Sequence, residues 1–175
     1  QALCHALLAQ VLFEYGGQRE ALQHLVHTRR YGIATHSKYV EYLTLLHEAQ
    51  FRFMRSVEER GTLALSKAFA LARKHGYASM PTLRPCVIAM LCKKALENGI
   101  AVEYVRHSIK KQGLQPPAPS VGCQAWPWPI KIYTLGNFRI VKAGEPLNFD
   151  GQDSGKNQSK AQGKPLLLLK ALIAL

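Results

Sequence analysis

Carboxylates are scarce in this 175-residue sequence: 11 Asp and Glu stand against 23 Lys and Arg, for a formal charge of +12. No two of them form a pair suited to acid/base work in a pocket, and Glu58-Glu59 reads as a solvated helix end. Cysteine is also sparse. Cys4, Cys86, Cys92 and Cys123 show no C-x-x-C spacing and no histidine at zinc-ligand distance, which predicts buried thiols in a reducing cytosol rather than a metal site. The seven histidines are scattered, and His47-Glu48 does not extend to a metalloprotease motif. Long hydrophobic runs are missing too. The longest, residues 166–175, is broken by Lys170 and falls short of the ~18 apolar residues of a membrane span. No charged segment leads into an apolar one at the start, so no signal peptide is read. These absences predict a cytoplasmic protein without membrane segment, metal or cofactor.

Catalytic motifs fail as well. Gly151-Gln152-Asp153-Ser154-Gly155-Lys156-Asn157 suggests a phosphate-binding loop. It is one residue short between its glycines, and Asn157 stands where Ser or Thr would ligate magnesium. No nucleophile elbow and no kinase set occur. With no base beside a nucleophile, the expectation is a protein that is not an enzyme.

What is present is Leu, Ala and aromatic residues at helical spacing. Apolar side chains make up 47% of the chain, enough for a core. Helices are expected over 2–15, 18–31, 39–55, 62–75, 83–97 and 101–112. Gly16-Gly17, Gly32, Gly76, Asn98-Gly99 and Gly113 serve as stops, and Arg29-Arg30 are placed near a helix end. Gly17 and Gly61 lie 44 apart, as do Gly32 and Gly76. Arg29-Arg30 then falls on Arg73-Lys74, and Ala21, Leu25 and Val26 on Leu65, Phe69 and Ala70. A two-helix unit of that period predicts an α-solenoid of helical hairpins over residues 1–113, resembling tetratricopeptide repeats. The alternative is a non-repetitive bundle. Such a stack has a concave surface on which Tyr39, Tyr42, Phe51, Arg52 and Arg55, with His47 among them, are candidates to contact a peptide or small effector. Packing is the competing role for these rings.

Residues 114–129 carry Pro116, Pro117, Pro119, Pro127 and Pro129 and read as a semi-rigid linker. Trp126 and Trp128 near its end are expected to dock on a domain face. From Ile130 the period becomes two. One strand is expected through Leu135, a turn at Gly136-Asn137, a second strand over 138–141, and a short third over 147–149. A polar stretch follows to Gly163, then Pro165 opens a Leu-rich helix.

The run Trp126-Pro127-Trp128-Pro129-Ile130-Lys131-Ile132-Tyr133-Thr134-Leu135-Gly136-Asn137-Phe138-Arg139-Ile140, with Gly144-Glu145-Pro146-Leu147 and Lys164-Pro165-Leu166-Leu167-Leu168-Leu169, resembles the opening of a response-regulator-type winged helix. The version it is similar to occurs in bacterial transcriptional activators of the antibiotic-regulatory type. In large signal-transducing regulators of the maltose-activator type, such a module follows helical repeats, which residues 1–113 resemble. The resemblance implies a mainly α protein with three parts: repeats at 1–113, a linker at 114–129, and the first part of a DNA-binding winged helix at 130–175. It departs from the family's pattern in the long polar stretch 150–163 and in Gly163, where a basic residue is common.

By that resemblance the intact protein binds promoter DNA and senses an effector or partner protein through its repeats. The base-reading helix is expected beyond Leu175, since both ends of the chain fall inside helical patterns. Within it, Lys156, Lys160 and Lys164 are the candidates for phosphate contacts, which give affinity without sequence choice; the competing reading is that they solvate a loop. The competing expectation is a helical-repeat adaptor that binds a protein or peptide and no DNA. A third is non-specific nucleic-acid binding driven by charge.

Overall fold

A computed structural model describes residues 1–117, 125–134, 139–142, 144–147 and 171. The chain divides into two compact units, Gln1–Pro127 and Trp128–Leu175.

The first unit is built mainly from helices, with Met80, Leu83 and Trp126 adding non-helical side chains to its core. Its helices are α1 (Ala2–Glu14), α2 (Gln18–Ala34), α3 (Lys38–Met54), α4 (Glu58–His75), α5 (Pro85–Glu97) and α6 (Val102–Gln112). Each ends in the same hydrogen-bonded device. The N–H of Gly17, Ser37, Val57, Tyr77, Ile100 and Leu114 reaches back to the carbonyl of Leu12, Gly32, Arg52, Ala72, Ala95 and Ile109 at 2.8–3.1 Å. In each case the preceding residue is left-handed: Gly16, His36, Ser56, Gly76, Gly99 and Gly113. This six-to-one closure satisfies carbonyls that the end of a helix leaves open.

The first four of these stops, at 16, 36, 56 and 76, are spaced by 20 residues. One hairpin therefore takes 40 residues, not 44. Burial repeats at that interval. Ala6, Ala9, Gln10 and Phe13 of α1 match Leu46, Ala49, Gln50 and Phe53 of α3. Ala21, Leu25, Thr28 and Gly32 of α2 match Gly61, Leu65, Ala68 and Ala72 of α4, and all sixteen positions are buried. Two of the four glycines that suggest a 44-residue register are not stops. Gly32 and Gly61 lie inside α2 and α4. A Cβ at Gly32 would stand 3.0 Å from Val40 Cγ1, and one at Gly61 would stand 2.7 Å from Phe53 Cε1. They let neighbouring helices approach closely. Because α2 continues to Ala34, Arg29 and Arg30 are not in its last turn either.

The hairpins α1–α2, α3–α4 and α5–α6 stack. Neighbouring odd helices touch, α1 with α3 and α3 with α5, while α2 also packs on α3 and α4 on α5. Helix α3 sits at the centre, with ten of its 17 residues buried. Ser37 caps it, its hydroxyl accepting from the Val40 N–H at 3.4 Å. Of the cysteines expected to be buried, Cys92 is, while Cys4 and Cys86 are exposed, each on a solvent-facing position of a short helix; Cys123 lies outside the described residues. Trp126 is buried, as expected of a docked ring.

The second unit holds an antiparallel meander in the order β1 (Ile130–Tyr133), β2 (Arg139–Lys142), β3 (Glu145–Pro146). Ile132 pairs with Ile140 and Val141 with Pro146. Gly144 takes φ +98° in the two-residue connection from Lys142 to Glu145, a tight hairpin geometry. The Tyr133–Arg139 pair adds a cation–π contact, with the guanidinium 4.6 Å from the ring centre. The third strand begins two residues earlier than expected, and Leu147 continues its ladder by donating its N–H to the Ile140 carbonyl. Ala171 is helical; the rest of the helix expected from Pro165 lies outside the described residues. Overall the described chain is mainly α with a small antiparallel sheet.

Candidate functional site

Five residues were expected to face a partner from α3, and they do not share one surface. Tyr42 and Phe51 are core residues, 0% and 2% exposed. The reason is the position of α3: with helices packed on several sides, rings at helical spacing fill its contacts instead of facing solvent. Tyr42 packs, with its ring tilted, in a group with Tyr39 and Tyr77, whose ring centres lie 6.1 and 5.5 Å from its own. Burial, with smaller contributions from Tyr104, Tyr39 and Cys92, pushes its hydroxyl well above the ordinary tyrosine range, and that hydroxyl has no hydrogen-bond partner among the described residues. Tyr39 is half-buried and meets Tyr77 edge-on at 5.2 Å. Phe51 lies flat on Phe13 at 3.9 Å. Arg52 is half-buried and reaches Glu48 at 3.8 Å. Arg55 alone is fully on the surface, at the end of α3. His47 is buried as well. Its Nε2 lies 2.9 Å from the Thr82 hydroxyl, and burial pushes its pKa down to about 4.

A different surface gathers functional groups. A groove of about 700 Å³ opens between α2 and α4 with the first half of α3 as its floor. That size suits a small ligand. Each wall is one stripe of a helix: Arg29, Gly32, Ile33 and His36 on the α2 side, and Lys67, Ala70, Leu71 and Lys74 on the α4 side. Both sets follow the three- and four-residue steps that keep side chains on one face. Leu45 and Thr44 line the floor. The close approach of Gly32 to Val40 sets α2 against α3 there.

Charge in the groove is lopsided. Arg29, Lys38, Lys67 and Lys74 face it, against the single carboxylate of Glu41. Glu41 is already matched to Lys38 at 2.8 Å, and Arg29 bonds Glu48, one turn beyond Thr44 on the same face of α3. Lys67 and Lys74 have no carboxylate partner among the described residues, so the α4 wall is the uncompensated one. Apolar Ile33, Leu45 and Leu71 lie between these cations. Such a site can hold an amphipathic anion, its apolar body on the aliphatic side chains and its charged end toward Lys67 and Lys74. Nothing in it pairs a nucleophile with a base.

The sequence contained the groove's signal in the spacing Lys67, Ala70, Leu71, Lys74, a basic and apolar stripe on one helix face. Spacing along α4 alone does not show that this stripe faces α2 across a groove; the packing of the two helices around α3 does. A second cluster lies midway along α2, against α1. His5 and His24 bring their Nδ1 atoms within 2.8 Å, and His27 stacks on His5 with ring centres 5.2 Å apart. Partial burial, then the neighbouring His24 and His27 and the chain terminus, lowers the His5 pKa. The candidate phosphate-contacting residues Lys156, Lys160 and Lys164 lie outside the described residues. No described helix is long and apolar enough to cross a membrane.

No protein-family model matches the chain, and no curated protein or solved structure matches it significantly.

Proposed function

We propose that this chain is the sensing region and the start of the DNA-binding module of a bacterial, cytoplasmic transcription regulator. The repeats of the first unit take an effector or partner, and the second unit opens a winged helix that contacts promoter DNA in the intact protein. The observation that carries this reading is the pairing of two unlike units in one chain. A stack of 40-residue helical hairpins with a basic, part-apolar groove is followed, after a proline-rich stretch, by a three-stranded antiparallel meander at 130–146. A sheet of that order at that position is what the winged-helix resemblance requires of these residues. On this reading the chain binds and does not catalyse; the groove offers cationic and apolar binding groups.

The test is to read the gene past the codon for Leu175. A frame that continues through two more helices and a β-hairpin, with Arg, Asn or Gln on the second helix able to reach base edges, supports the regulator. A stop codon directly after Leu175 removes the base-reading element and with it the proposal. In that case the groove favours the second reading, a helical-repeat adaptor whose positive walls take an acidic peptide.

A further inference from the structure

Helix α1 carries no charged residue before Glu14, and its apolar side chains point in every direction. A helix apolar on all sides belongs in the interior of an assembly. Yet Leu3, Leu7 and Val11 are 45%, 46% and 49% exposed. Leu8 beside them, and Leu22 and Val26 on α2, are exposed too.

The 40-residue repeat identifies what belongs over this face. Leu3, Leu7 and Val11 occupy the positions of Leu43, His47 and Phe51 on α3, which are 1%, 0% and 2% exposed. His47 is closed from the side of Thr82. Phe51 is closed by the hairpin that precedes its own: its ring stacks on Phe13, and it shares a buried cluster with Ala9, Ala21 and Leu25 of α1 and α2. Val11 stands where Phe51 stands and lacks that cover. Within the described chain, the matching covering surface, the Ala9-Phe13-Ala21-Leu25 seam, is itself already filled by Phe51. A second copy of the chain therefore could not offer that seam without opening its own core.

We propose that the outer face of α1 is a repeat-stacking interface for a further helical hairpin of the same 40-residue kind, carried by the polypeptide encoded directly ahead of Gln1. Its small and aromatic residues would lie on Val11, Leu7 and Leu3 as Ala9 and Phe13 lie against Phe51. The chemistry of the occupant follows from the face: no charge to pair, only aliphatic area to bury.

The experiment compares the 175-residue chain with the same chain extended upstream by the residues the gene encodes there. Amide hydrogen exchange is followed in α1, and Leu7→Glu is made in both proteins. The expected result is a monomeric extended protein whose α1 amides exchange on the order of ten-fold more slowly than in the shorter chain. Leu7→Glu should lower the melting temperature of the extended protein by several degrees and leave that of the shorter chain unchanged. Three results would overturn the proposal. One is an upstream sequence without two apolar-periodic helices, or no upstream coding sequence. Another is α1 exchange and Leu7→Glu tolerance that are the same in both proteins. The third is a stable dimer of the shorter chain that Leu7→Glu dissociates, which would make a second copy the occupant.

Discussion

The rings of Phe13 and Phe51 lie face on face, their centres 3.9 Å apart and their planes within 5° of parallel. Phe13 lies in the last turn of α1 and Phe51 in the last turn of α3, so this one contact joins the first hairpin to the second. Ala9, Ala21 and Leu25 close around it. Replacing Phe51 by Ala would leave a ring-sized cavity between two repeats. The expected loss is roughly 3–5 kcal/mol of stability, read by urea unfolding. A loss under about 1 kcal/mol, within the range of ordinary surface changes, would mean that the hairpins do not rely on this contact.

Phe53 occupies in the second hairpin the place that Phe13 holds in the first, and its ring is what a side chain at Gly61 would strike. Exchanging Gly for Ala inside a helix ordinarily stabilises by about 1 kcal/mol. At Gly61 the added Cβ would lie 2.7 Å from Cε1 and 2.8 Å from Cδ1 of Phe53. A buried ring cannot yield as a flexible chain end does, so the overpacking cost of about 1–3 kcal/mol outweighs the propensity gain. Gly61→Ala is therefore expected to lower the melting temperature. A raised one would show that Phe53 has room to move.

His47 makes the fold sensitive to acid. Its ordinary pKa is 6.5, and burial holds it at about 4 in the folded chain. Between those values the unfolded chain binds the additional proton. Stability from this group is thus fully present above pH 6.5 and is lost as the pH falls toward 4. The whole effect is on the order of 3 kcal/mol. Melting temperatures from pH 7.5 to 4 should fall more steeply for the native chain than for His47→Gln, whose amide can still meet Thr82. Parallel curves for the two proteins would exclude His47 as the source.

The groove predicts a charge-dependent ligand preference. A medium-chain alkyl carboxylate should bind more tightly than the matching neutral alcohol, as measured by calorimetry. Lys67→Glu with Lys74→Glu should weaken the carboxylate by at least about ten-fold, some 1.4 kcal/mol. Because both lysines are exposed, added salt should weaken it as well. Equal affinity for acid and alcohol would remove these lysines from recognition.

Helix periodicity, the change to a two-residue period after Ile130 and the lack of catalytic spacing were all legible in the sequence. Each depends on local spacing, which one stretch of chain carries by itself. The six helices and the meander follow from it with shifts of a few residues, apart from the earlier start of α4. The true repeat length did not. Two of its four evenly spaced stops are His36 and Ser56, residues that seldom take the left-handed turn, while the conspicuous Gly32 and Gly61 sit inside helices for lack of room beside Val40 and Phe53. Likewise, nothing local distinguishes Tyr42 and Phe51 from surface rings. Only the packing of neighbouring helices on α3 turns them into core, and only the approach of α4 to α2 sets Lys67 and Lys74 across from Ile33. Spacing along one helix determines which residues share a face. What lies against that face depends on residues many positions away, and this is what the tertiary structure alone decided.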